Sequence, residues 1–122
     1  MRNAIPLAIL MTVLAAPALA QSYPVNGQWG QSSSSAKGAI DCSGKRVITF
    51  NGNQRQDSNG GVPAYRNKSV TQEGLSSYRV IDQFSNGQVN NGSVGYTLRL
   101  VDADHIVMLM QRGGTLKLQR CQ

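Results

Sequence analysis

Residues 96–120 read YTLRLVDADHIVMLMQRGGTLKLQR, and the periodicity of this stretch decides the fold. In the first run Tyr96, Leu98 and Leu100 share one face, while Thr97 and Arg99 share the other. That two-residue alternation belongs to a strand with one buried face. Asp102-Ala103-Asp104 is a polar turn, since Asp side chains bond to nearby backbone N–H groups. His105 to Met110 is apolar on both faces, as in a strand covered on both sides. Arg112-Gly113-Gly114 reverses the chain, and Thr115 to Arg120 returns with Leu116 and Leu118 inward. Three short-linked strands of this kind form an antiparallel meander.

Working upstream, the same grammar recurs. Strands are expected around Val25–Gly30, Lys45–Phe50 (Ile48 and Phe50 inward), Ala64–Val70 and Ser77–Phe84 (Tyr78 and Val80 inward). Ser32-Ser33-Ser34-Ser35-Ala36-Lys37-Gly38 reads as a flexible polar loop. Residues 51–63, NGNQRQDSNGGVP, form the longest polar stretch and read as a loop of the kind that carries function. No sustained helical stripe follows residue 20. The sequence thus predicts an all-β domain of seven or eight antiparallel strands, an up-and-down barrel or else a small β-sandwich. The inward set comprises Trp29, Phe50, Tyr78, Tyr96, Leu98, Met108 and Met110.

Residues 1–20 read as a secretory signal. Arg2 supplies the positive start, Ala4–Ala16 the apolar segment and Ala18-Leu19-Ala20 the small-residue cleavage site. A bilayer-spanning helix needs about 20 apolar residues; this run is shorter and is broken by Pro17. The expectation is a periplasmic or secreted chain beginning at Gln21, one domain over 21–122, with no stable membrane anchor. In an oxidising compartment Cys42 and Cys121 are expected to form a disulfide. A zinc site lacks ligands, because the chain has one His and two distant Cys. Cys121 falls on the face opposite Leu118, so a bridge to Cys42 requires the last strand to twist or end before it.

Without Arg2 the chain carries eleven Lys and Arg against six Asp and Glu, a formal charge of +5. An excess of this sign suits acidic partners. The cations are scattered in runs no longer than two, which argues against a nucleic-acid role. Asn67-Lys68-Ser69 and Asn91-Gly92-Ser93 fit the glycosylation sequon and are read as coincidence in a chain rich in Asn and Ser.

Chemistry has few footholds. Asp102 and Asp104 flank the sole histidine, His105, and could support acid–base work. Successive strand residues point to opposite faces, however, and a turn is required there in any case. No nucleophile elbow and no phosphate loop is present. No enzyme, cofactor or metal is therefore expected. Trp29, Tyr78, Tyr96, Met108 and Met110 are the candidates for lining a ligand site, Met being adaptable to varied ligands.

Gly27 and Trp29 open the first strand of the domain, and Arg120 lies near the end of the last with the inward parity of Leu116 and Leu118. An inward arginine needs a partner, and an indole face is a favourable one. This arrangement resembles the calycin superfamily, the lipocalin-like small barrels, in which a G-x-W motif on the first strand packs against a basic residue on the last. The resemblance implies a barrel closed at one end by Gly27, Trp29 and Arg120. By size it implies the small exported barrels of bacteria, which include periplasmic metalloprotease inhibitors that insert an N-terminal trunk into the protease. Gln21-Ser22-Tyr23-Pro24 stands where such a trunk would be. The expected function is non-catalytic binding by a monomer, of a small apolar ligand inside or a protein partner at the rim. Inhibition of an exported protease, through the N-terminal segment and the 51–63 loop, is the alternative. A hydrolase using His105 ranks last.

Overall fold

The computed structural model describes residues 22–85, 88 and 90–122; the expected signal segment and Gln21 lie outside them. Eight strands follow in chain order: β1 Gly27–Gln31, β2 Val47–Asn51, β3 Gln54–Asp57, β4 Tyr65–Gln72, β5 Ser77–Phe84, β6 Gly92–Leu100, β7 His105–Met110 and β8 Thr115–Arg120. Each pairs antiparallel with its sequence neighbours, and β8 closes on β1 with Trp29 opposite Arg120. The chain is thus an eight-stranded up-and-down barrel, and closure leaves no sheet edge open to another chain.

Inward residues alternate along every strand, as the pleat requires. Trp29, Ile48, Phe50, Val80, Tyr96, Leu98, Ile106, Met108 and Leu118 fill the interior, none of them more than 1 % exposed. Tyr78, Met110, Val25, Val70 and Leu100 are partly buried around this cluster. One end of the barrel carries the β2–β3, β4–β5 and β6–β7 turns; the other carries the β1–β2, β3–β4, β5–β6 and β7–β8 connections.

One expectation needs correction. Residues 51–63 are not one loop: Asn51 to Gln54 turn tightly and β3 pairs with both β2 and β4. The alternation of Gln54, Arg55, Gln56 and Asp57 was hidden because the buried position of the strand, Arg55, is charged rather than apolar. The disulfide between Cys42 and Cys121 forms, with Cα atoms 5.6 Å apart, and β8 ends at Arg120, before Cys121, as the bridge was expected to require. Cys121 faces outward, and residues 38–42 return along the outer wall to meet it. The amide of Ile40 donates to Arg120 O (2.8 Å) and that of Gln122 to Ile40 O (2.9 Å). Gly30 leaves room for the bridge, since a Cβ there would collide with Cys42 Sγ.

Candidate functional site

The most buried polar group in the barrel is Asp82, the inward residue after Tyr78 and Val80 on β5, fully closed from solvent. Charge without water demands partners, and Asp82 has four. Arg55 Nε donates to Oδ2 at 2.7 Å and Tyr96 Oη to the same oxygen at 2.9 Å. Tyr23 Oη donates to Oδ1 at 2.9 Å and Asn67 Nδ2 at 3.2 Å. The Arg55 guanidinium lies 3.9 Å from the Tyr65 ring centroid and 5.1 Å from that of Tyr96, a favourable cation–π setting. A β-bulge between Asn67 and Ser69 turns Asn67 inward to complete the set. Burial, aided by the Asp82 charge, pushes the Tyr23 hydroxyl well above its ordinary value. Burial does the same for Tyr96, although the Arg55 charge opposes it. Burial works against the Arg55 charge, but Tyr96 and Asp82 outweigh it and hold the guanidinium protonated.

Nothing in the local pattern of Arg55, Asn67 or Asp82 announced this cluster. The legible signal was parity: Asp82 continues the inward series of Tyr78 and Val80. Tyr23 reaches it from outside the strands. Its amide donates to Gly52 O (3.0 Å) at the β2–β3 turn, and its ring meets Phe50 edge-on with centroids 5.0 Å apart.

At the same end the Arg120 guanidinium stands 4.3 Å from the Trp29 ring centroid. Arg120 Nε donates to Ala103 O (3.2 Å), and Trp29 Nε1 donates to Asn26 O (3.0 Å). Gly27 has φ +89°, a left-handed conformation that favours glycine, and a Cβ there would lie 3.6 Å from an Arg120 nitrogen. Of the sequence candidates for a ligand lining, Trp29, Tyr96 and Met108 are enclosed in the core, whereas Tyr78 and Met110 are half-buried beside it.

His105 lies on the outer wall. Its Nδ1 is 2.8 Å from Asp102 Oδ1, and that carboxylate also accepts the Asp104 amide (2.8 Å). The bond with His105, reinforced by the Asp104 amide, holds the Asp102 carboxyl below the usual range. Asp104 instead accepts from the Gly38 amide at 2.9 Å, so only Asp102 is brought to the imidazole. No nucleophile is hydrogen-bonded to His105 Nε2. Among the described residues no three or more His, Cys, Asp or Glu converge on a metal position.

The large exposed apolar side chains among the described residues are Leu75, fully exposed, and Val101, 56 % exposed. They occupy neighbouring turns, β4–β5 and β6–β7, tied together by the Leu100 amide donating to Ser76 O (2.8 Å). Arg99, opposite Ser77, and Arg79, opposite Thr97, face outward just above them. The outward charges on β4 to β8 are Arg66, Lys68, Arg79, Arg99 and Lys117, all cationic. No protein-family model, curated protein or solved structure matches this chain.

Proposed function

We propose that this chain is an exported, non-catalytic binding protein that recognises a protein partner with one rim of its barrel. Leu75 and Val101 carry this reading, as two exposed apolar side chains on hydrogen-bonded neighbouring turns. Exposed apolar anchors beside arginine are the composition of an interface centre, and Arg79 and Arg99 stand beside them. The fitting partner surface is an apolar socket edged by carboxylates, which would steer association through opposite charge. The Cys42–Cys121 disulfide supports an oxidising compartment, periplasmic or extracellular. The closed barrel with Gly27 and Trp29 on its first strand and Arg120 on its last supports a place among the calycin-like barrels. In this reading the protein acts as a monomer, without cofactor, nucleic acid or membrane anchor.

A small apolar ligand inside is favoured less, because the interior is occupied by mutually packed side chains. If the partner is an exported protease, the Leu75 turn is the segment to enter its cleft. Tyr23, at the place of an N-terminal trunk, is instead turned inward onto Asp82. The test compares the wild-type chain with a Leu75→Glu, Val101→Glu double variant as bait for exported proteins of the source cell. A stoichiometric partner held by the wild type and released by the double variant, at unchanged thermal stability, supports the rim. Equal capture by both rejects it.

A further inference from the structure

On the outer wall the serine loop crosses β8, fixed where the Ser32 amide donates to Lys117 O (3.0 Å). Gln119, outward yet 1 % exposed, anchors the same loop: its Nε2 donates to Ala36 O and Gly38 O, both at 2.9 Å. Between this loop and β7 lies a cleft of about 230 Å³ whose walls include Ser33, Ser35, Val101, Val107 and Lys117, with His105 in its lining. His105 is 8 % exposed. With the Asp102 carboxylate ionised, Nδ1 carries the proton and donates to it. In the neutral imidazole Nε2 is then a bare acceptor, and it is buried and without a hydrogen-bond partner. A buried polar atom left in that condition costs about 1–3 kcal/mol, and the serine loop that walls the same cleft is held to the barrel by the Gln119 side chain.

We infer that this cleft is a binding site for a small neutral molecule with an apolar body and one hydroxyl or amide donor, received by His105 Nε2. The site shares Val101 with the rim, but its argument rests on His105 and the serine loop and does not depend on the reading of the rim. The volume lies below the 300–1,000 Å³ of drug-sized sites, so a single ring fills it. Val101 and Val107 face the body of the ligand, and the Lys117 stem flanks it. A charged acid is a poorer fit, because the buried nitrogen would meet an acceptor rather than a donor.

Phenol is the probe, and anisole, which has the same ring without the donor, is the control. His105 is the sole histidine, so one imidazole spin system reports the site. In the full-length mature chain, the ¹⁵N spectrum should show Nδ1 protonated and Nε2 bare. Phenol should move the Nε2 resonance saturably. Anisole should bind about tenfold more weakly, the value of one net hydrogen bond. Val107→Phe, which fills the cleft from an outward position, should abolish the phenol response while its thermal midpoint stays near that of the wild type. The site is overturned by a proton on Nε2, by equal binding of phenol and anisole, or by no saturable shift below phenol concentrations that disturb the fold. A Val107→Phe variant that still responds as the wild type overturns it as well.

Discussion

Tyr23 Oη donates to Asp82 Oδ1 at 2.9 Å, joining residues 59 positions apart at the centre of the barrel. The bond makes the segment before β1 part of the core. Tyr23→Phe removes a donor from a buried carboxylate and should lower stability by about 1–3 kcal/mol. Asp82→Ala should cost more, about 3–5 kcal/mol, because it strands the Arg55 charge. Replacing both Asp82 and Arg55 by Leu and Met should recover a large part of that loss. Urea denaturation of the three variants measures the order. A double replacement as damaging as Asp82→Ala alone would show that Arg55 does not depend on Asp82 for its charge.

The same cluster sets the behaviour in alkali. Tyr23 and Tyr96 have raised values when folded, so the native state holds protons that the unfolded chain releases above about pH 10. Their contribution is intact below that pH and is lost as pH rises beyond it. The thermal midpoint should therefore fall above pH 10, with tyrosinate absorbance at 295 nm rising together with unfolding. Tyr23→Phe should shallow this decline without abolishing it, since Tyr96 remains. An unchanged slope would remove Tyr23 from the titration.

How much of this was legible follows from what each residue contributes to the pattern. β6, β7 and β8 could be read from apolar alternation, because Leu98, Met108 and Leu118 face the core directly. β3 could not, since its inward residue Arg55 is polar and is stabilised by Asp82 across the barrel, 27 residues away. Cys121 illustrates the opposite case. Its outward parity and the end of β8 before it were legible, whereas the course of residues 38–42 along the outer wall was not. The apolar outer side of β7 was also readable, and Val107 does line the cleft beneath the serine loop. The covering segment itself gave no signal, because its hold depends on Gln119, a residue that looks solvent-facing by every local rule.

The disulfide joins positions 79 residues apart, and its loss should cost about 2–5 kcal/mol, the usual range for a native bridge in a small domain. Gly30 makes the test specific. A methyl group at Gly30 meets Cys42 Sγ, with Cys121 Sγ 3.6 Å away. Gly30→Ala should therefore destabilise the oxidised protein strongly and do little in a Cys42→Ala, Cys121→Ala background. Strictly additive effects in that double-mutant cycle would mean that the bridge does not rest on Gly30.

Arg46 closes on Asp57 with two side-chain bonds, Nε to Oδ1 at 3.0 Å and Nη2 to Oδ2 at 2.6 Å, where β2 begins and β3 ends. Burial tends to raise the Asp57 value, but the Arg46 bond and the Asn59 amide outweigh it and hold the carboxyl low. A lowered folded value means stability that is present above about pH 4, where the unfolded carboxylate is ionised, and lost as pH falls through the folded value. The gap in stability between wild type and Asp57→Asn should thus be widest near neutrality and should narrow below pH 4. A gap that stays constant with pH would assign the effect to packing rather than charge.

Trp29 and Arg120 close the turn end of the barrel together, as directly opposed residues of the first and last strands. Trp29→Ala opens a cavity in a filled core and should cost about 3–5 kcal/mol. Arg120→Ala removes a half-exposed cation from the indole face and should cost about 0.5–2 kcal/mol. Because Trp29 is the only tryptophan, its emission reports this end directly. Arg120→Ala should shift that emission, whereas Leu75→Glu, on the rim beyond it, should not. Loss of partner binding with stability intact in either Trp29→Ala or Arg120→Ala would make this pair part of the recognition surface rather than a closure.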